Sequence, residues 1–293
     1  MQLAENNQVS NRTRAQGKSL NEYQCAVSQL LSDERLAQQN GQSESRANGG
    51  SLSPRFVSLS LGKTERPVVT AIVRSVQDNI GGQIAAKMGY DAVIQDLLRV
   101  SDEFSTSIRY QRSAPAIIED VIQTANRNIY HYGHRMTGAG RMFAQALVAI
   151  YDGDRMSIGS VGAFDCLLWR DRKLIRFYGQ TGESTRRLSR GETDYFVGVN
   201  ERATVEHASV RVKDSDVVLV GSFLPDNKYL SFVDTVLRSS VSLDDSCRRL
   251  VSHARDLFRG RDEAVSANRN PVIWLLHIGP PTITLVHLAA DDE

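Results

Sequence analysis

Between residues 142 and 179 the chain runs through four short apolar segments, "MFAQALVAIY", "RMSIGSVG", "FDCLLWR" and "KLIRFYG", with only a few polar residues between them. Asp152–Gly153 separates the first two, and an Asp-Gly pair between apolar runs is a strong hairpin signal. Asp171–Arg172 separates the last two and marks a second hairpin. Connections this short force antiparallel pairing, because a parallel crossover needs a dozen or more residues. "RFVSLSLG" upstream alternates apolar and polar residues and reads as a strand. "PVVTAIVRSV" (67–76) is β-branched, apolar and bounded by Pro67, so it reads as a buried strand.

Two helices separate these strands. Ile84, Met88, Ala92, Leu97 and Val100 recur on one face through "QIAAKMGYDAVIQDLLRV". Ile118, Val121, Ile122, Ala125 and Ile129 form a stripe in "APAIIEDVIQTANRNIYHYG", with Pro115 near the start and Gly133 placed as the stop. Further on, "ASVRVKDSDVVLVGS" holds two strands around a polar turn. "NKYLSFVDTVLRSS" and "LDDSCRRLVSHARDLFRG" have helical periodicity, and "PVIWLLHIG" and "TITLVHLA" close the chain as strands. No βα unit repeats. The pattern predicts an α+β fold in which two mainly antiparallel sheets pack as a sandwich covered by helices.

At 293 residues, 41% hydrophobic and 24% charged, the chain is long enough to bury a substantial core. A net charge of +1 gives no global basic field for nucleic acid. No stretch reaches the ~18–20 apolar residues of a membrane span. Cys25, Cys166 and Cys247 are odd in number and unrelated in spacing, so they form neither a disulfide framework nor a zinc knuckle, and reduced thiols in a cytoplasmic protein are the expectation. Residues 1–20 read as a disordered polar lead, although Arg12 and Arg14 with few acids give it a faint transit-peptide character. Residues 21–293 read as one domain, with a polar insert near 179–200 and an extra C-terminal strand at 282–289 that has to pair with a sheet edge or a partner.

The order of these elements resembles that of the metal-dependent protein phosphatases of the type 2C family. "VIQTANRNIYHYG" is similar to a family helix reading A-N-x-x-I-Y, and "ALVAIYDGDRMSIGSVGAFDCLLWRDRKL" to its run L-V-A-A-L-I-D-G-D-R-L-x-I-A-N-V-G-D-S-R-A-Y-L-L-R-D-G-K-L. "VRVKDSDVVLVGSFL" resembles the later L-x-P-G-D-x-L-L-L-C-S-D-G-L. "VQDNIGG" falls at the A-D-G-M-G-G position and "NRNPVIWLLHI" at D-N-x-T with the last strand. The matches run in order over about residues 67–278. They imply an α–β–β–α sandwich whose aspartates hold two divalent cations between the sheets, making a hydroxide that attacks phosphoserine or phosphothreonine. Hard cations take oxygen ligands, and several carboxylates have to offset two ions.

The departures fall on those carboxylates. Asp78 is kept, but Asn79 stands where the adjacent glycine belongs. Ser222 occupies the S-D-G aspartate position and Arg269 the D-N position. Asn40–Gly41–Gln42, which lacks an acid, stands for the early N-E-D motif, and Gly162–Ala163–Phe164–Asp165 for G-D-S-R. The early arginine that holds substrate phosphate has no counterpart. Asp78 is left to cap the following helix or to pair with Arg269. The resemblance thus implies a pseudophosphatase: no metal, no turnover, and a regulatory or structural subunit that docks a protein partner, phosphorylated or not. The alternative is a divergent Mn- or Mg-dependent serine/threonine phosphatase using Asp78 with Asp226 or Asp262. A third reading is a subunit of a larger assembly with no signalling role, and self-association through the C-terminal strand fits either binding role.

Other residues read more plainly. His131 and His134 sit where cations favour a helix C-terminus. His277 and His287 alternate with apolar residues on strands, and Cys166 lies in an apolar run and reads as buried rather than nucleophilic. "TGAGRM" leads into a strand and so is no phosphate cradle. Arg186, Arg187 and Arg190 in the polar insert are the candidate partner-binding residues.

Overall fold

The computed structural model describes residues 55–60, 68–76, 79–106, 112–136, 142–179, 195–222, 227–240, 242–259, 272–278 and 283–289. Strands β1 (Arg55–Ser60), β2 (Val68–Ser75), β3 (Ala144–Tyr151), β4 (Arg155–Val161) and β7 (Glu206–Arg211) form one sheet in that spatial order. Strands β10 (Ile283–Ala289), β9 (Val272–Ile278), β8 (Val217–Gly221), β5 (Asp165–Arg170) and β6 (Lys173–Tyr178) form the other. Every pairing is antiparallel. Helices α1 (Ile80–Thr106) and α2 (Ala114–Arg135) cover the first sheet, and α3 (Asn227–Ser239) and α4 (Leu243–Arg259) cover the second. The order helix, sheet, sheet, helix is the sandwich expected.

Strands β2, β3 and β8 read as continuous apolar runs because both of their faces are buried. Val69, Ala71 and Val73 of β2 pack under α1 and α2, whereas Val68 and Ile72 face the second sheet. On β8, Val217 and Leu219 meet α3 and α4, and Val218 and Val220 face the first sheet. On α2 the whole predicted stripe of Ile118, Val121, Ile122, Ala125 and Ile129 is fully buried. Burying such a side chain contributes about 1.5–3 kcal/mol. Ile122→Ala is therefore the single change that most directly undermines this layer, at about 2–5 kcal/mol.

The turns explain the hairpins. Asp152 Oδ1 accepts from the Arg155 amide at 2.9 Å, and Gly153 takes φ +116°. Asp171 and Arg172 both adopt left-handed φ, at 50° and 59°, the twist a two-residue hairpin favours. The polar turn between β7 and β8 is not a hairpin, because β7 pairs with β4 and β8 with β5 and β9. It carries the chain from one sheet to the other. Arg170 grips the buried Asp216 there through Nε–Oδ1 at 3.0 Å and Nη2–Oδ2 at 2.6 Å. One expectation needs correction: α2 does not stop at Gly133 but runs to Arg135, with Met136 N–H bonding to the Tyr132 carbonyl at 3.2 Å. A Cβ at Gly133 would stand 3.6 Å from Met142 Cβ, an ordinary contact, so packing does not demand glycine there. The expected C-terminal strand forms as β10, in register with β9 from Ile283↔Ile278 to Ala289↔Val272.

Candidate functional site

The layer between the sheets is apolar over most of its length and polar toward one end. Alternation along β2 carries Arg74 onto the face of Val68 and Ile72, and alternation along β8 carries Ser222 onto the face of Val218 and Val220. Arg74 and Ser222 are 4% and 2% exposed. Arg74 Nη1 donates to Ser222 Oγ at 2.5 Å, a buried bond from one sheet to the other. Gln145, the cross-strand neighbour of Arg74 on β3, is 1% exposed, and its Oε1 has no hydrogen-bond partner among the described residues. Gly162, at φ +113°, passes so close that a Cβ would lie 2.7 Å from Gln145 Cγ. Ser160 Oγ and the Tyr178 hydroxyl, 2.5 Å apart, make a second bond between the sheets. Burial is the main cause that pushes the Tyr178 phenol upward, so it stays protonated at neutral pH.

Of the residues singled out in the sequence, Ser222 is placed at this polar end. Asp78, Asp226, Asp262, Arg269, Arg186, Arg187 and Arg190 lie outside the described residues, as does Asn40–Gly41–Gln42. Ala163 and Phe164 are buried, and Phe164 joins the core between the sheets. Asp165 turns to the opposite, helix-covered face of its sheet, with Oδ1 3.6 Å from Arg176 Nε. Asn79 caps α1: its Oδ1 accepts from the Gly82 amide at 2.8 Å, the role the sequence had offered to Asp78. Cys166 is fully buried, and burial, followed by the Asp165 charge, pushes its thiol well above the ordinary range, so it is no nucleophile. His134 Nδ1–H donates to the Tyr130 carbonyl at 2.8 Å on the exposed last turn of α2.

A second polar feature runs along α2. Glu119, Gln123 and Asn126 share one face of the helix by their spacing of four and three. Glu119 Oε2 meets His207 Nε2 at 2.9 Å. Gln123 bonds the Ala203 backbone both ways, donating to the carbonyl at 2.6 Å and accepting from the amide at 3.2 Å. Asn126, fully buried, donates to the carbonyls of Asn200 and Glu201 at 3.0 Å each and accepts from the Gly198 amide at 2.7 Å. These contacts fix residues 198–203, just beyond the polar insert. Val197 forms a bridge with Ala144, and Phe196 stacks on Phe143 with ring centres 5.2 Å apart. Neither Arg74 nor this seam was singled out from the sequence. The available signals were a lone arginine inside an apolar strand and polar residues at helical spacing beside the apolar stripe.

The chain was compared with known proteins. No family model and no curated protein matches it. Solved structures do. The serine/threonine phosphatase Stp1 from Staphylococcus aureus superposes with a TM-score of 0.53 at 12% identity, over 84% of this chain and 99% of that one. A bacterial serine phosphatase gives 0.52 at 12% identity, over 83% and 99%. The S. agalactiae serine/threonine phosphatase gives 0.51 at 17% identity, over 83% and 94%. The fold is that of the type 2C protein phosphatases.

That fold implies divalent cations between the sheets, so the side chains at the polar end have to be tested against such an ion. They do not fit it. A Mg or Mn site needs carboxylate oxygens, and Arg74, Gln145, Ser160, Tyr178 and Ser222 supply one guanidinium, one amide and three hydroxyls. Among the described residues, no group of three or more His, Cys, Asp or Glu side chains gathers to hold a metal ion. A guanidinium is permanently charged and has no lone pair to offer, so Arg74 itself is no ligand for a divalent ion.

Proposed function

We propose that this chain is a type 2C phosphatase-fold binding protein without phosphoryl turnover, acting as a regulatory or structural subunit for a protein partner. The observation that supports the reading is the buried bond from Arg74 to Ser222, the residue that the resemblance aligns with the S-D-G aspartate. The reading includes no bound Mn or Mg. Arg186, Arg187 and Arg190 are the proposed partner contacts, since arginine forks match carboxylate and phosphate groups. We place the protein in the cytoplasm, in keeping with Cys166 and Cys247 as buried free thiols. Among the described residues no helix is long and apolar enough to cross a membrane.

The test has two arms on the full chain. Purified protein with millimolar MnCl2 is assayed against p-nitrophenyl phosphate and a phosphothreonine peptide, with no turnover above buffer expected. Affinity capture from cell extract then identifies the partner, with recovery in fixed stoichiometry expected. Turnover that Asp78→Ala abolishes overturns the reading in favour of a divergent phosphatase.

A further inference from the structure

We infer that β7 is a self-complementary edge through which two copies of this chain pair, antiparallel about Ser209, into one continuous sheet. β7 ends the first sheet as six residues without proline or bulge, and Glu206, His207, Ser209 and Arg211 are exposed. Its main chain is used on one side only. The Val212 amide donates to the Asp154 carbonyl at 2.8 Å, so by the alternation of an antiparallel ladder Val210, Ala208 and Glu206 also turn their N–H and C=O toward β4. His207, Ser209 and Arg211 turn theirs outward. Arg170 Nη2 donates to the Arg211 carbonyl at 2.7 Å. The His207, Ser209 and Arg211 amides and the His207 and Ser209 carbonyls meet no partner among the described residues. Such a row is a template for another strand.

The side chains decide which strand. Arg155 on β4 and Arg211 on β7 stand directly opposite each other, an unfavourable like-charge pair, and neither has a carboxylate partner among the described residues. Toward the other end of β7, His207 Nε2 meets Glu119 Oε2 at 2.9 Å. An antiparallel second copy brings these unlike ends together. With Ser209 opposite the second copy's Ser209, Arg211 falls opposite the second copy's His207 and beside its Glu119, and the same contact recurs with the copies exchanged, as a two-fold interface requires. On the other face of the strand Ala208 falls opposite the second copy's Val210, and both are half-buried residues that already pack on the core between the sheets. In this register every outward residue of one copy meets an outward residue of the other. A slip of one residue loses that, because opposed residues in an antiparallel pair have to face the same way.

The pairing is independent of whether the chain turns over phosphate, and its test reads only the mass of the full chain in solution. Sedimentation equilibrium is run on wild type, Ser209→Pro and Arg211→Glu at concentrations up to ~100 μM, with circular dichroism reporting whether each variant is folded. Proline at 209 removes an outward N–H and leaves the ladder to β4 whole, a setting in which an edge strand tolerates it. Arg211→Glu relieves the contact with Arg155 inside the chain but sets a carboxylate beside the second copy's Glu119. Wild type is expected to dimerise reversibly, with the dissociation constant rising at least ~10-fold in either variant and falling again when Glu119→Lys is added to Arg211→Glu. A wild type that stays monomeric at ~100 μM overturns the inference. So does a dimer that folded Ser209→Pro leaves as tight as wild type, whether or not deletion of residues 282–293 dissolves it. A monomer whose captured protein partner is lost with Ser209→Pro also overturns it and assigns the edge to that partner. If Ser209→Pro does not fold, Arg211→Glu decides alone: an unchanged dissociation constant refutes the pairing.

Discussion

Replacing Asn126 by alanine tests the α2 seam. The side chain is fully buried and makes three bonds to the 198–201 backbone. Removing it strands the buried Gly198 amide, at about 1–3 kcal/mol for an unsatisfied buried donor. Water can partly resolvate the carbonyls of Asn200 and Glu201, so their loss adds about 0–1 kcal/mol each. The total is about 1–5 kcal/mol, which corresponds to a fall of roughly 2–20 °C in melting temperature. Urea unfolding followed by the fluorescence of Trp169 and Trp274 should show a lower midpoint at unchanged slope. Asn126→Asp should cost at least as much, since it sets a carboxylate against two carbonyls 3.0 Å away. Asn128, two residues on in the same "ANRN" run, is exposed. Asn128→Ala should stay within about 0.5 kcal/mol of wild type. If the two alanine variants unfold at the same urea concentration, Asn126 anchors nothing and the reasoning fails.

Three further outcomes follow from the same physics. Burial acts to raise the Glu119 pKa, but bonds from His207 and Gln123 and the charges of His207 and Arg202 outweigh it and hold the carboxyl below its usual range. Its contribution is therefore present above the unfolded value of about 4.3 and is lost as pH falls through the folded value. Glu119→Gln should melt slightly below wild type at neutral pH, by no more than about 1 kcal/mol, with the gap closing on acidification. In the β5–β6 hairpin, Asp171→Asn with Arg172→Gly should stabilise by about 0.5–1 kcal/mol, since both positions hold left-handed φ; a lower melting temperature would contradict the turn geometry. The triple change of Arg186, Arg187 and Arg190 to alanine should weaken partner binding by roughly 1–3 kcal/mol in total, chiefly through a slower on-rate and less so at high salt. Wild-type affinity at low salt would put the partner elsewhere.

How much of this was legible in the sequence depended on the range of each interaction. The hairpins were, because Asp152–Gly153 and Asp171–Arg172 are local signals whose geometry depends on a few neighbouring residues. The α2 stripe was, because helical spacing brings its five apolar residues onto one buried face. The faces of β2 and β8 were not, since a strand buried on both sides shows no alternation. That hid the importance of Arg74: with both faces buried, a charge in that run has to find a partner, and its partner Ser222 lies 148 residues away. The separation of β7 and β8 into different sheets was hidden too, because "KDSD" reads like a hairpin turn until Asp216 is seen held by Arg170. Asn79 caps α1, which spacing alone did not single out beside Asp78, a residue outside the described ones.

The layered construction bears on how a phosphatase-like fold can stand without carboxylates at the described polar end. The first sheet has its own core with α1 and α2, the second has its own with α3 and α4, and a third apolar cluster joins the two sheets. Each cluster closes on hydrophobic side chains, and burial of this kind supplies most of the favourable folding energy. Among the described residues the polar end adds three bonds between the sheets, Arg74 to Ser222, Ser160 to Tyr178 and Tyr178 to the Glu206 carbonyl, each modest in net stability. The apolar layers keep the sheets in place, so side chains at the polar end can change without loss of the fold. The constraint that remains is local: whatever cation occupies the end has to be hydrogen-bonded, because a buried unpaired charge costs far more than any one of these bonds returns. Arg74 donates to the hydroxyl of Ser222, one of the interactions that hold its charge in place.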